Sequence, residues 1–212
     1  MVARFALLLA LLACYTQQGE RVPADVISPA GAEWLERSTR AGEERPEIVI
    51  AAMDLKNGDV VADVGAGTGF YTRRLARAVA PDGVVYANDV QAGMLEVLKE
   101  KASAEGLSNI VPVLGGETDP KLPEGKLDWI LLVDVYHELQ QPKPMLAALQ
   151  RALKPGGRIA LVEYRETWTR VRPAHRMSQE QVLAEWLPAG FRLLRVVEEM
   201  PMQRLYIFEV GS

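Results

Sequence analysis

The residues with the most chemical content are grouped in four places. Asp63-Val64-Gly65-Ala66-Gly67-Thr68-Gly69 puts three glycines at alternate positions, and a carboxylate stands two residues before the first. Glycine has no Cβ, so a ligand can approach the main chain closely along such a turn. The acid would repel a pyrophosphate and suits a ligand carrying positive charge, such as an ammonium and a sulfonium. Asp89 lies where a carboxylate can accept both hydroxyls of an adenosine ribose; alternatively it caps the helix opening near Gln91.

The third group is Asp134-Val135-Tyr136-His137-Glu138, and the fourth is Glu163-Tyr164-Arg165 with His175 further on. The chain has 2 histidines, and both fall in these segments. His137, Tyr136 and Glu163 are the expected catalytic side chains, able to orient an acceptor or take its proton. His137 also admits a purely structural reading as a hydrogen-bonded strand end, and His175 is expected at the surface. The two histidines and Glu163 carry no recognised metal-ligand spacing, and with a single cysteine no thiolate site can form, so no metal is expected.

These residues need elements that hold them. Val60–Val64 is an apolar run broken only by Asp63, and from Phe70 the pattern turns helical to Ala80. Val84 to Asn88 is a second strand. Ala92–Glu105 is an amphipathic helix stopped by Gly106, and residues 109–114 form a third strand. Leu127–Asp134 is the most apolar strand and must be central. Helix 144–153 and the turn Lys154-Pro155-Gly156-Gly157 lead to strand 158–164. Ser178 and Gln181 form a capping box for a helix to Leu187. Phe191–Val197 and Leu205–Val210, joined by a short loop around Pro201, pair as a hairpin. Upstream, Ala32–Arg45 reads as one charged helix with a solvated face, and Pro46–Met53 as another.

The order D-x-G-x-G-x-G then helix, L-K-P-G-G-R then strand, and a C-terminal hairpin resembles the class I S-adenosylmethionine-dependent methyltransferases from about Ala32 to Val210. The likeness is closest to the small-molecule group that includes the ubiquinone and menaquinone C-methyltransferases. It implies an α/β fold: a seven-stranded Rossmann-like sheet, mostly parallel, closed by an antiparallel C-terminal hairpin, with helices on both faces. It implies S-adenosylmethionine as cofactor, held by Asp63, Gly65, Gly67, Gly69, Asp89 and Asp134. In such proteins an acid upstream of a Leu-Pro accepts the adenine amino group; Asp119 is the choice here, with Glu117 competing. The acceptor would be a small molecule, aromatic or quinone-like. Two other readings differ in class: an exported binding protein that keeps the fold without turnover, and an NAD-dependent oxidoreductase, which the glycine spacing and Asp63 oppose.

The 212 residues suffice for one domain with a sizeable core. A net charge of -4 with interspersed signs gives nothing that favours nucleic acid. Residues 1–19 read as a signal peptide or lipoprotein leader, 20–31 as a linker and 32–212 as the catalytic domain. Phe5–Ala13 is apolar but too short to span a bilayer, and Leu11-Leu12-Ala13-Cys14 resembles a lipobox around the only cysteine. Export or membrane anchoring through the N-terminus is expected, with a cytoplasmic location as the alternative. Nothing in the sequence sets an oligomeric state.

Overall fold

The computed structural model describes residues 22–211, so the proposed leader and Cys14 lie outside the described residues. Helices α1 (Ala32–Leu35), α2 (Arg40–Glu44) and α3 (Pro46–Met53) precede the sheet. The elements that follow are β1 (Val60–Val64), α4 (Thr72–Val79), β2 (Val84–Asp89), α5 (Ala92–Ala104), β3 (Ile110–Leu114) and β4 (Leu127–Val133). After these come α6 (Pro142–Ala152), β5 (Leu153–Arg165), β6 (Arg176–Met177), α7 (Gln179–Trp186), β7 (Phe191–Val197) and β8 (Gln203–Val210).

The strands order as β3-β2-β1-β4-β5-β8-β7. Pairing is parallel from β3 through β5, and β8 runs antiparallel between β5 and β7. This is the expected mostly parallel sheet closed by a hairpin, with the two-residue β6 added beside the end of β5. Ile130, Leu131 and Leu132 of β4 are fully buried although they alternate between the sheet's two faces. Truncating such a side chain to alanine costs about 2–5 kcal/mol. Chain order reverses between β1 and β4, and the crevice at that switch point is where an open α/β sheet receives a ligand.

Local chemistry accounts for the element ends. Ser178 accepts a hydrogen bond from the Gln181 N–H, and the Gln181 side chain returns one to the Ser178 N–H, so the capping box is complete. The helix expected over 32–45 is broken instead. The Arg40 guanidinium donates to the Leu35 carbonyl at 2.8 Å, satisfying an acceptor at the end of α1, and Arg45 takes a left-handed φ of 52° after α2. The stretch read as a linker carries structure too: the Ala24 N–H bonds to the His137 carbonyl, and Gln91 donates to the Ile27 carbonyl.

Among the described residues no helix is long and apolar enough to cross a membrane.

Candidate active site

A cavity of about 850 Å³ opens at the carboxyl ends of β1, β2, β4 and β5, roofed by residues 25–35. That volume suits a ligand of drug size or larger. Gly65 and Gly67 line it, with φ of 74° and 54°. A Cβ on Gly65 would come within 2.4 Å of Val135, and one on Gly67 within 3.2 Å of Leu35 in the roof. Gly69 serves packing instead: a Cβ there would meet Leu98 of α5 at 2.7 Å, and Gly69 is not on the cavity wall.

Asp63 is fully buried and does not reach the cavity; its Oδ2 accepts from the Thr72 hydroxyl at 2.6 Å. It fixes the start of α4 relative to β1, which corrects the expectation that it touches a ligand directly. Burial pushes its acid up to about 6, against the Thr72 hydrogen bond and the nearby Arg40 charge. Asp89 does line the cavity. One of its oxygens accepts from the Gly67 N–H and the other from the Gln91 N–H, both at 2.9 Å. It therefore ties the glycine turn to β2 and opens the turn into α5. Burial raises its acid, with the Gln91 and Gly67 N–H groups opposing.

Among the described residues, two carboxylate oxygens near the cavity have no partner. Glu44 is 1% exposed. One of its oxygens receives Arg40 at 2.8 Å, while Oε2 is buried and unpaired. Asp134, held at a φ of 52°, accepts from Gln203 at 2.6 Å through Oδ2, while Oδ1 is buried and unpaired. Burial, with the Glu44 and Glu163 charges nearby, raises the Asp134 acid well above the carboxylate range. Buried acceptors are nearly always satisfied. Two orphaned carboxylate oxygens on the cavity-lining residues Glu44 and Asp134 fit a cationic ligand, and an ammonium beside a sulfonium is such a ligand.

Glu44 and Arg40 were missed by the sequence reading, which assigned that face to solvent. Their spacing of four residues was the available signal, but Glu36 and Arg40 share that spacing. Glu36 instead turns to Thr68 at 2.6 Å and Arg73 at 3.0 Å, latching the roof to the glycine turn. Asp119 lies off the cavity, exposed, with its carboxylate on the Lys121 N–H at 2.8 Å. Its competitor Glu117 is the acid on the wall.

The acceptor side is built by a 3₁₀ turn after β4, Tyr136–Glu138. Glu163 Oε1 accepts from the Tyr136 N–H at 2.9 Å, and Oε2 lies 2.5 Å from His137 Nδ1. A carboxylate only accepts, so Nδ1 carries the proton and Nε2 presents its lone pair. His137 Nε2 in turn lies 3.0 Å from His175 Nδ1. His137, Glu138 and His175 all line the cavity, and their ligand-type atoms lie within 4.8 Å of one another. His175 is thus half-buried in the site rather than at the surface, and burial with the neighbouring His137 and Arg172 lowers its proton affinity. Burial, with Glu163 and Asp89 adding to it, pushes the Glu138 acid up to about 8.

Two expectations on this side need correction, those on Tyr136 and Glu163. Tyr136 points into the core, fully buried against Trp186, with its hydroxyl on Glu185. It is off the cavity wall and so cannot touch an acceptor. Glu163 is 1% exposed and also off the wall, so it positions His137 rather than meeting substrate. Arg165 turns to Glu198 and the Gln203 carbonyl, away from the cavity that its neighbour Tyr164 lines.

A fold of this order, with a glycine turn, an acid ending β2 and a cavity at the switch point, is shared with a methyltransferase of known structure. Residues 61–157 match the family model described as a methyltransferase domain. The chain is 30% identical to a SAM-dependent methyltransferase of known structure from Aquifex aeolicus, covering 87% of this chain and 100% of that one with a TM-score of 0.82. The chain belongs to the class I S-adenosylmethionine-dependent methyltransferases. It is also 28% identical, over 142 residues, to the ubiquinone/menaquinone biosynthesis C-methyltransferase UbiE of Burkholderia cenocepacia. That match takes in 67% of this chain and 58% of the relative. The chain thus spans less than two thirds of the curated relatives it matches. The [4+2]-cyclase SpnF shares the architecture at a TM-score of 0.69 and 18% identity, which is a likeness of fold alone.

Proposed function

We propose that the protein transfers a methyl group from S-adenosylmethionine to a small-molecule acceptor. When bound, the cofactor supplies an electrophilic methyl on a sulfonium. The observation that carries the reading is the pair of unpartnered buried oxygens, Glu44 Oε2 and Asp134 Oδ1, on residues lining a cavity that the glycine turn also lines. They would hold the cationic end, while Asp89 would take the ribose hydroxyls. Asp63 holds the turn in place from behind. An NAD-dependent oxidoreductase would place a pyrophosphate against these acids, and repulsion disfavours it.

The chain's own contribution to methyl transfer is positional. The acceptor atom must lie in line with the breaking bond, near van der Waals contact and away from bulk water. The roof segment, with Ile27, Trp34 and Leu35 on the wall, covers the cavity, and Leu139 and Met145 give the acceptor end an apolar surface. His137, fixed by Glu163, and His175 supply the polar groups that orient an ionisable acceptor and draw off its proton. A phenol- or quinol-like molecule combines the apolar body with that ionisable oxygen. The sequence similarity to a quinone-pathway methyltransferase supports the same class.

The test is conversion of S-adenosylmethionine to S-adenosylhomocysteine against a panel of phenols, quinols and amines. Turnover with at least one hydroxylated aromatic is expected. No turnover with any acceptor would favour a binding protein that has kept the fold. For location, we propose export with anchoring at Cys14, carried by the lipobox-like run alone. The full-length protein should then fractionate with membranes and its Cys14→Ser variant should not; finding both in the cytosol with Met1 intact would remove this proposal.

A further inference from the structure

We propose that His137, His175 and Glu138 form a binding site for a divalent transition-metal ion of the zinc type, with at least one coordination position open to the cavity. The ligand atoms of these three residues already lie within 4.8 Å of one another. The two imidazoles set the core of the site. His137 Nε2 and His175 Nδ1 are 3.0 Å apart. Ligand bonds of about 2.0–2.1 Å meeting at ordinary coordination angles separate two nitrogens by roughly 3 Å.

Three further observations favour an ion over a lone imidazole–imidazole hydrogen bond. The Glu163 carboxylate holds Nδ1 of His137, which fixes the tautomer whose lone pair sits on Nε2. This carboxylate–histidine arrangement behind a ligating nitrogen is the usual support for a metal-bound histidine. The Glu138 carboxylate has no hydrogen-bond or ion-pair partner among the described residues. Turning it toward the two imidazoles breaks no hydrogen bond or ion pair among the described residues. The rings also stand edge to face rather than stacked, with an interplanar angle of 81° and His137 Nε2 turned to His175 Nδ1. Two imidazoles and one carboxylate suit zinc, iron, cobalt or nickel rather than magnesium, which prefers an all-oxygen shell.

The ion would give the acceptor side its function. An open position facing the cavity binds an oxygen of the acceptor and lowers the pKa of its hydroxyl. The assignment of acceptor chemistry rests on the methyl-transfer reading, whereas the metal site does not. The experiment is therefore run without S-adenosylmethionine. The full chain, purified without a histidine tag and stripped with a chelator, is titrated with zinc by calorimetry and with cobalt by visible absorption.

One equivalent of zinc is expected, together with cobalt d–d bands that excess zinc abolishes and millimolar magnesium does not. His175→Ala and Glu138→Gln should each remove the bands or weaken zinc binding at least tenfold. Glu163→Gln should weaken it 10–100-fold through the loss of ring orientation. Melting curves and S-adenosylhomocysteine binding are measured on each variant. A variant that fails to fold is set aside, and Glu138→Gln, on the least buried carboxylate of the group, then decides. Zinc affinity unchanged in the folded variants, or no stoichiometric zinc binding by the wild type, would overturn the site. If zinc binds as expected but S-adenosylhomocysteine does not, the methyl-transfer reading fails and the metal site stands.

Discussion

At the ends of β1 and β2 the cavity wall is main chain and fixed carboxylates, whereas beyond Asp134, at the ends of β4 and β5, it is side chains converging from separate segments. On the first side Asp89 is clamped by two N–H groups, and Gly65 and Gly67 present bare backbone. On the second side His137 depends on Glu163 across the sheet and on His175 from the loop after β5. A wall of backbone binds one shape of ligand and tolerates little change. A wall of converging side chains sets the reaction and can be rebuilt by substitution. The two walls should accordingly fail in different ways: damage to the first lowers cofactor affinity or stability, and damage to the second lowers turnover.

The largest effect separates them most clearly. His137→Ala should cut turnover roughly 10²–10⁴-fold while S-adenosylhomocysteine affinity stays within about twofold of wild type. Isothermal titration and a coupled turnover assay on the same preparation check both numbers. Loss of affinity and turnover together would merge the two walls into one structural unit.

Next in size is the pH response of the β1 side. The Asp63 acid is about 6 in the folded protein against an ordinary 3.8. A raised acid contributes stability that is fully present below the unfolded value and is lost as pH rises through the folded one. Between about pH 4 and pH 7 the wild type should therefore lose on the order of 3 kcal/mol relative to Asp63→Asn, which has no proton to lose there. Chemical denaturation of both proteins across that range measures the gap. A gap independent of pH would show that Asp63 is already ionised in the folded state at acid pH.

Smaller again, Glu44→Gln should weaken S-adenosylhomocysteine binding by about 1.5–3 kcal/mol, the worth of a charged hydrogen bond. Turnover at saturating cofactor should be nearly kept. Equal binding by wild type and variant would show that the free Glu44 oxygen does not face the ligand. The smallest effect belongs to Tyr136→Phe. Losing the hydroxyl bond to Glu185 should cost about 1 kcal/mol of stability in urea unfolding and leave turnover per folded molecule unchanged. A large loss of turnover would return Tyr136 to the acceptor wall.

The same contrast explains what could be read from the residues alone. Pro46 was expected to open a helix through Met53 and does, because a proline start is local chemistry. The Ser178 capping box and the glycine turn were legible for the same reason. The mostly parallel sheet with its closing hairpin followed from the family resemblance, and the central place of β4 from its apolar run. The acceptor wall was not legible to this depth. Tyr136 and His137 are neighbours, yet one enters the core and the other the cavity, and only the geometry of the 3₁₀ turn decides which. His175 comes from a loop 38 residues away, and no spacing rule brings it onto His137. Burial of Arg40 and Glu44 was hidden as well, since a charged helix face reads as solvated until a roof is seen to close over it.

The central claim is that the glycine turn, Asp89, Glu44 and Asp134 together hold S-adenosylmethionine, and it is tested most directly by parallel melting curves with S-adenosylhomocysteine and with NAD. At about 100 times its dissociation constant a ligand adds roughly 2.7 kcal/mol, which for a domain of this size raises the melting temperature by about 5–10 °C. S-adenosylhomocysteine should produce that rise and NAD none; no shift with S-adenosylhomocysteine, or a larger one with NAD, would contradict the account.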